Sequence, residues 1–256
     1  MRTVSLLGTL LLVAAATTPE SLFVDSTAKS GIKFVLRNST TAEKHLIETM
    51  AGGVAVFDFD NDGFPDIYFV NGAEQPSLVK NGVQYYNRLY RNKGDWTFED
   101  VTEKAGVCGH GYNFGVATAD FDNDGFADIL ITSTNGNLLY RIRGDGTFED
   151  VTEKAGVKGS GWSTAAAWFD YDNDGFQDLF AVRYVQWDSA REITCGDPAR
   201  NLRTYCHPRF YEPLSNQLFH NNGDGTFTDN SEEPASLLIV GKEWASLLQI
   251  MITTAG

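Results

Sequence analysis

The chain has 256 residues, 42% of them hydrophobic, which is enough for one sizeable folded domain or two small ones. It carries 34 acidic against 20 basic side chains, a net charge of −14, and no basic stripe, so nucleic acid is excluded as an expected partner. Twelve aspartates fall in three nine-residue segments, and without them the net charge is −2. The acidity is therefore local, which favours cation ligation over a solvating acidic surface.

The first twenty residues, MRTVSLLGTLLLVAAATTPE, have the pattern of a secretory signal. Arg2 precedes an apolar stretch, and Ala14 and Ala16 provide an A-x-A cleavage site. An uncleaved anchor is the alternative, but the apolar stretch is short for a bilayer span. We predict a signal peptide over residues 1–16, no membrane span after cleavage, and a secreted, periplasmic or extracellular protein.

The rest of the chain is organised as a repeat. The segment GDWTFEDVTEKAGV at 94–107 returns with one change as GDGTFEDVTEKAGV at 144–157, and relatives of it lie at 23–32 and 223–233. Each unit of about 50 residues contains about four short apolar runs separated by turn signals. We therefore predict an all-β fold over residues 17–233, a partial β-propeller of about three to four four-stranded blades. A β-sandwich with coincidental repeats is the alternative.

Three acidic segments share the pattern D-x-D-x-D-G-x-x-D and are named loop 1 (58–66), loop 2 (120–128) and loop 3 (170–178). We number the nine positions of each loop as places 1 to 9. Carboxylates at places 1, 3, 5 and 9 can converge on one point, glycine at place 6 permits a sharp turn, and place 7 offers a backbone carbonyl. Calcium takes 6–8 such oxygen ligands. We predict about three Ca²⁺ sites, with the ligands Asp58, Asp60, Asp62, Phe64, Asp66, Asp120, Asp122, Asp124, Phe126, Asp128, Asp170, Asp172, Asp174, Phe176 and Asp178.

Other interpretations of these loops fit less well. Magnesium suits a cage this rich in carboxylates less than a larger cation does. A metal-free turn would bring four carboxylates together without a counter-charge, which is strongly repulsive. An EF-hand needs a glutamate at place 12 and flanking helices, whereas place 12 is Phe69, Ile131 or Ala181 within an apolar run.

The cysteines give two interpretations. Export would permit disulfides, and Cys195 and Cys206 stand 11 residues apart in a segment containing glycine and proline, so we predict that they form a bridge. A zinc site of these two cysteines and His207 is the alternative, although the spacing matches no common zinc pattern. Cys108 is left single.

The motifs together resemble a known family. The loops between apolar runs resemble the FG-GAP or VCBS repeats of integrin-type β-propellers. The set FxDVTxxAGV, DFDNDGFPDIYFVNG and NQLFHNNGDGTFTD, with the insertion TYCHPRFY, resembles more narrowly the secreted ASPIC/UnbV (cartilage acidic protein-like) family over residues 22–233. The resemblance implies a propeller of about seven blades with calcium between the first two strands of a blade. With only three loops, this chain is expected to form part of such a ring, truncated from seven blades.

These features lead us to expect a secreted calcium-binding module in which calcium is structural. The expected role is binding, adhesion or scaffolding, with an unknown extracellular protein or glycan as partner. One alternative is a propeller-scaffold enzyme acting on extracellular polysaccharide, and another is a non-functional truncated gene product. We expect this chain to have no enzymatic activity, because the G-x-S-x-G motif is absent and His45, His110, His207 and His220 are scattered without metal spacing.

The last segment departs from the repeat. After GDGTFTDNSEE none of the earlier spacing continues. Shifting the reading frame by one base makes the codons of Trp244–Ala245 and Met251–Ile252 encode a glycine and an aspartate seven residues apart, the separation of Gly53 and Asp60. We predict that residues 234–256 are an aberrant, frameshifted tail that hides a fourth loop.

Overall fold

A computed structural model describes residues 23–232 of the chain. The predicted signal peptide, 1–16, and the predicted aberrant tail, 234–256, lie outside the described residues. Across 23–232, no helix is both long and apolar enough to span a bilayer.

Three four-stranded antiparallel sheets dominate the structure, and each is a meander, interrupted only in the third sheet by an inserted hairpin. Blade 1 contains β1 (Val54–Phe57), β2 (Asp66–Phe69), β3 (Arg88–Asn92) and β4 (Phe98–Asp100). Blade 2 contains β5 (Asn113–Ala119), β6 (Asp128–Ser133), β7 (Gly136–Ile142) and β8 (Phe148–Asp150). Blade 3 contains β9 (Ser163–Phe169), β10 (Asp178–Arg183), β13 (Gln217–Asn221) and β14 (Phe227–Asp229), with the hairpin β11 (Cys195–Asp197) and β12 (Leu202–Thr204) inserted. The predicted all-β partial propeller is confirmed.

Short helices occupy the connections. The α-helices are α1 (Thr27–Ser30), α2 (Thr102–Ala105) and α3 (Thr152–Ala155), and 3-10 turns span Leu46–Thr49, Val83–Tyr85, Ser189–Arg191, Pro198–Arg200 and Pro208–Phe210. Each α-helix ends at a glycine in the left-handed region, as at Gly106 with φ 79°. A side chain with a Cβ is strained there, which explains the glycine of the repeated AGV.

The near-identity of the two 14-residue segments is explained by the hydrogen bonds that their side chains make. In blade 1 the Asp95 carboxylate accepts hydrogen bonds from the backbone nitrogen and the hydroxyl of Thr97, at 2.9 and 2.6 Å, and so fixes the turn between β3 and β4. Thr102 at the start of α2 accepts a hydrogen bond from the Leu89 nitrogen at 2.9 Å. Each unit of the repeat therefore closes its own blade and begins the connection to the next.

Successive blades pack face to face through two apolar cores. The core between blades 1 and 2 includes Tyr68, Leu89, Ile129 and Ile131, all fully buried. The core between blades 2 and 3 includes Leu130, Leu139, Leu179 and Phe219. Side chains alternate along each strand, so β6 and β7 contribute one set of residues to each core.

A third apolar cluster covers the end of the blades opposite to the acidic loops. It contains Leu46, Ile47, Ala73, Tyr112, Phe114, Trp162 and Val185. The inserted hairpin reaches the same end, and there Tyr205 donates a hydrogen bond of 3.0 Å to buried Glu48. Cys195 and Cys206 form the predicted disulfide across the insertion, which excludes the alternative zinc site.

We predict that two valines at equivalent places differ in their contribution to stability. Val116 pairs with Ile131 and packs in the core between blades 1 and 2, whereas Val54 pairs with Phe69 on the opposite face of blade 1 and is 56% exposed. Val116→Ala should lower the free energy of unfolding by about 1–2 kcal/mol. Val54→Ala should change it by less than about 0.5 kcal/mol. Denaturant unfolding of both variants measures this, and equal losses would contradict the described packing.

Candidate metal centre

The three loops have the same backbone course. The place-1 carboxylate turns the chain back on itself: Asp58 accepts hydrogen bonds from the nitrogens of Asp62 and Gly63 at 3.1 and 2.8 Å. The place-5 carboxylate of Asp62 accepts one from the Phe64 nitrogen at 3.0 Å. The same bonds recur in loop 2 and loop 3. Backbone N–H groups therefore hold the aspartates at places 1 and 5 in position.

The place-9 aspartate has a second role that sequence reasoning missed. Asp66 is fully buried at the start of β2, where it accepts hydrogen bonds from the nitrogens of Phe59 at 3.0 Å and Asn92 at 2.7 Å. Asp128 and Asp178 make the corresponding pair of bonds. Because Phe59 belongs to the loop and Asn92 to β3, this carboxylate fastens the loop to the blade.

The place-7 phenylalanine packs against the hairpin of its own blade. A Cβ at Gly94 would lie 2.9 Å from the Phe64 ring, and a Cβ at Gly223 would lie 2.9 Å from the Phe176 ring. The side chain at place 7 therefore holds the loop against the turn between the last two strands. Its backbone carbonyl remains the predicted ligand.

The structure brings carboxylates of each loop together. Oxygens of Asp58, Asp60 and Asp62 lie within 4.8 Å of one another, as do those of two further triples, Asp120 with Asp122 and Asp128, and Asp170 with Asp172 and Asp178. At place 3, Asp60 Oδ1 and Asp122 Oδ1 are buried and accept no hydrogen bond. Buried oxygens without a donor are costly, and a cation would satisfy them.

Burial makes the ionised form of the place-9 carboxylate unfavourable. It raises the pKa of Asp128 to about 8 and that of Asp66 to about 6, from an ordinary value of 3.8. Neighbouring aspartates of the same loop act in the same direction as burial, and the two backbone N–H donors act against it. Burial also raises the pKa of Asp178 and of Asp122.

Two arginines form ion pairs with loop aspartates, and the sequence analysis did not predict these contacts. Arg91 on β3 contacts Asp60 at 2.5 Å and Asp62 at 2.8 Å, and Arg141 on β7 approaches Asp122 at 3.6 Å. The premise that the carboxylates lack a counter-charge is therefore wrong for loop 1 and loop 2. Each guanidinium offsets about one charge of a loop that carries four aspartates, so an excess of negative charge remains.

At the equivalent place in blade 3 stands His220. Its Nδ1 lies 3.3 Å from Asp172 and 3.3 Å from Asp178, and oxygens of Asp172 and Asp174 group with it within 4.8 Å. His220, which the sequence analysis described as scattered without metal spacing, therefore lies beside the carboxylates of loop 3. The signal was its alignment with the arginines in RLYRN, LLYRI and QLFHN.

Comparison with known families agrees with this geometry. The FG-GAP-like repeat family matches residues 58–131 and 120–181, which together contain all three loops. Each matched segment includes one loop with the strand before it and most of the strand after it.

Two curated relatives cover part of the chain. Cartilage acidic protein 1 of Xenopus tropicalis is 32% identical over 116 residues, 44% of this chain and 16% of the relative. Cartilage acidic protein 1 of Homo sapiens is 47% identical over 51 residues, 20% of this chain and 8% of the relative. The similarity therefore spans a small part of each relative's length.

A solved structure of a lectin from Agrocybe aegerita, which recognises non-reducing terminal N-acetylglucosamine, is 18% identical and superposes with a TM-score of 0.38. It covers 69% of this chain and 36% of the lectin, and at that score it supports no inference about fold or ligand. The family match and the two curated relatives agree with the motifs: this chain contains FG-GAP-like repeats over residues 58–181 and is similar, over part of its length, to cartilage acidic protein 1 of the ASPIC/UnbV family.

Proposed function

We propose that the chain is a secreted calcium-binding propeller module in which one Ca²⁺ per loop is structural. The observation that carries this proposal is the buried, unpartnered carboxylate oxygen at Asp60 and Asp122, each within a cluster of aspartates. A hard divalent cation with a preference for oxygen satisfies those atoms and offsets the excess negative charge. The match to FG-GAP-like repeats supports the same assignment.

The loop residues fit this ion by their donor chemistry. Places 1, 3 and 5 supply carboxylates, and place 7 supplies a backbone carbonyl. Place 9 supplies a buried carboxylate that already holds two N–H donors and has lone pairs left for a cation. Calcium bound there provides charge and cross-linking between chain segments, so the role is stabilisation rather than chemistry.

The size of the effect makes calcium relevant to folding. Extracellular calcium modules bind at about 10⁻⁴–10⁻³ M, so 10 mM calcium stabilises by about 1.4–2.7 kcal/mol per site. Three sites contribute an amount comparable to the whole stability of a domain, about 5–15 kcal/mol.

Two features support an extracellular location and a binding role. The Cys195–Cys206 disulfide is typical of oxidising compartments. Repeated blades offer an extended surface, and we propose an extracellular protein or glycan as partner, without catalysis by this chain. A screen of polysaccharides for cleavage, with and without calcium, tests the last point, because calcium-dependent turnover would contradict it.

We predict that Asp122→Asn lowers stability in the presence of calcium but not in its absence. The amide removes a charge without changing size, so in chelator the variant should melt at the same temperature as the parent or slightly higher. In 10 mM calcium it should lose the stabilisation of one site, about 1.4–2.7 kcal/mol. Calorimetric melts of both proteins under both conditions measure this. A variant that is equally less stable in chelator and in calcium would show that Asp122 acts without metal.

We further predict that stability depends on pH more steeply without metal than with it. Asp128 has a folded pKa of about 8 against 3.8 unfolded, so the folded state binds more protons between these values. Metal-free protein should therefore lose stability as pH rises from about 4 to about 8. Saturating calcium favours the carboxylate, so it should reduce that loss and release protons on binding.

Denaturant unfolding across this pH range measures the slope, and calorimetric titration in two buffers of different ionisation enthalpy measures the protons released. Asp128→Asn is the control, because its metal-free slope should be flatter than that of the parent. Calcium binding near pH 6 without proton release would contradict the prediction.

A further inference from the structure

Place 4 of each loop has no predicted ligand role, and in two of the loops its side chain contacts the neighbouring loop. Place 4 is asparagine in all three loops, at Asn61, Asn123 and Asn173. Each has a positive φ, between 55° and 62°, which is the left-handed region that asparagine tolerates better than most residues. Backbone shape alone would therefore explain asparagine there, but two of the three side chains also make a contact between blades.

Asn61 Nδ2 of loop 1 donates a hydrogen bond of 2.9 Å to the carbonyl oxygen of Gly125, at place 6 of loop 2. Asn123 Nδ2 of loop 2 donates one of 3.2 Å to the carbonyl oxygen of Gly175, at place 6 of loop 3. The same atoms are used in both cases. Within residues 23–232, Asn173 makes no corresponding bond.

The peptide that receives this bond also positions predicted ligands. The carbonyl of Gly125 belongs to the same planar unit as the Phe126 nitrogen, which donates to Asp124 Oδ1 at 3.0 Å. The next carbonyl along the chain is that of Phe126, the predicted place-7 ligand. Asn61 therefore holds, from one blade away, the peptide that orients two ligands of loop 2.

The donor residue, Asn61, is also positioned by its own loop. Asn61 stands between Asp60 and Asp62, two predicted ligands of loop 1. A cation that orders these aspartates also orders the asparagine between them. Its hydrogen bond then transmits that order to the neighbouring loop.

We propose that Asn61 and Asn123 are positioning residues that couple neighbouring metal loops, so that calcium in one loop raises the affinity of the next. This rests on the proposed calcium sites. Coupling between binding sites is reciprocal, so each asparagine affects both loops that it joins. A single exposed hydrogen bond supports a coupling of about 2–5-fold in affinity.

Replacement by glycine tests this, because glycine adopts the left-handed region without strain and removes only the amide. In calorimetric calcium titrations of the full chain, Asn61→Gly and Asn123→Gly should each weaken binding by about 2–5-fold. Asn173→Gly is the matched control and should leave the affinities unchanged. Equal effects in the three variants, or no effect in any, would overturn the coupling.

A second readout needs no metal. Amide exchange followed by NMR in chelator should show the Phe126 N–H exchanging faster in Asn61→Gly than in the parent or in Asn173→Gly. Unchanged exchange would mean that the bond does not hold the peptide, and would also overturn the proposal. If the parent binds three calcium ions and the variants match the control, only the coupling fails. If the parent binds none, the calcium function and the coupling fail together.

Discussion

Fold and site both depend on the hydrogen bonds accepted by a buried aspartate at the start of each blade's second strand. Asp66, Asp128 and Asp178 are fully buried, and each accepts an N–H from its loop and another from the third strand of its blade. Such a carboxylate fixes the register of the sheet. Its burial also disfavours its own charge, so the blade gains from a cation placed beside it.

This arrangement explains why sequence, fold and site repeat together. The loop lies between the first two strands, and the turn and helix of the 14-residue repeat close the same blade. Asp95 and Thr102 perform the closing contacts in blade 1, and their counterparts recur in blade 2. Each unit thus carries its acidic loop and its connection to the next unit, as expected of repeat architectures.

Local patterns made much of this predictable. The aspartate spacing, the turn glycines and the pair Cys195 and Cys206 lie close together in sequence, and their geometry follows from short-range rules. Arg91, Arg141 and His220 were not predicted as neighbours of the loops. They reach the loops through strand pairing from elsewhere in the sequence, as Arg91 and Asp60 do at a sequence separation of 31. Strand register determines such contacts, and it is not visible in a single motif.

The contacts of the place-4 asparagines were also not predictable from a single motif. Asn61 has an evident local reason, its left-handed backbone, whereas its bond to Gly125 spans 64 residues and two blades. The asparagine at place 4 thus adopts the backbone conformation that its own loop needs and also bonds to the neighbouring loop. We propose that contacts of this kind let neighbouring blades respond together to one ion.

The number of calcium ions held by one chain tests the account most directly. Equilibrium dialysis after complete removal of metal, at calcium concentrations up to about 10 mM, should reach a plateau of three ions per chain, one for each loop. A plateau at zero, with the chain folded, would contradict the assignment of the acidic loops as metal centres.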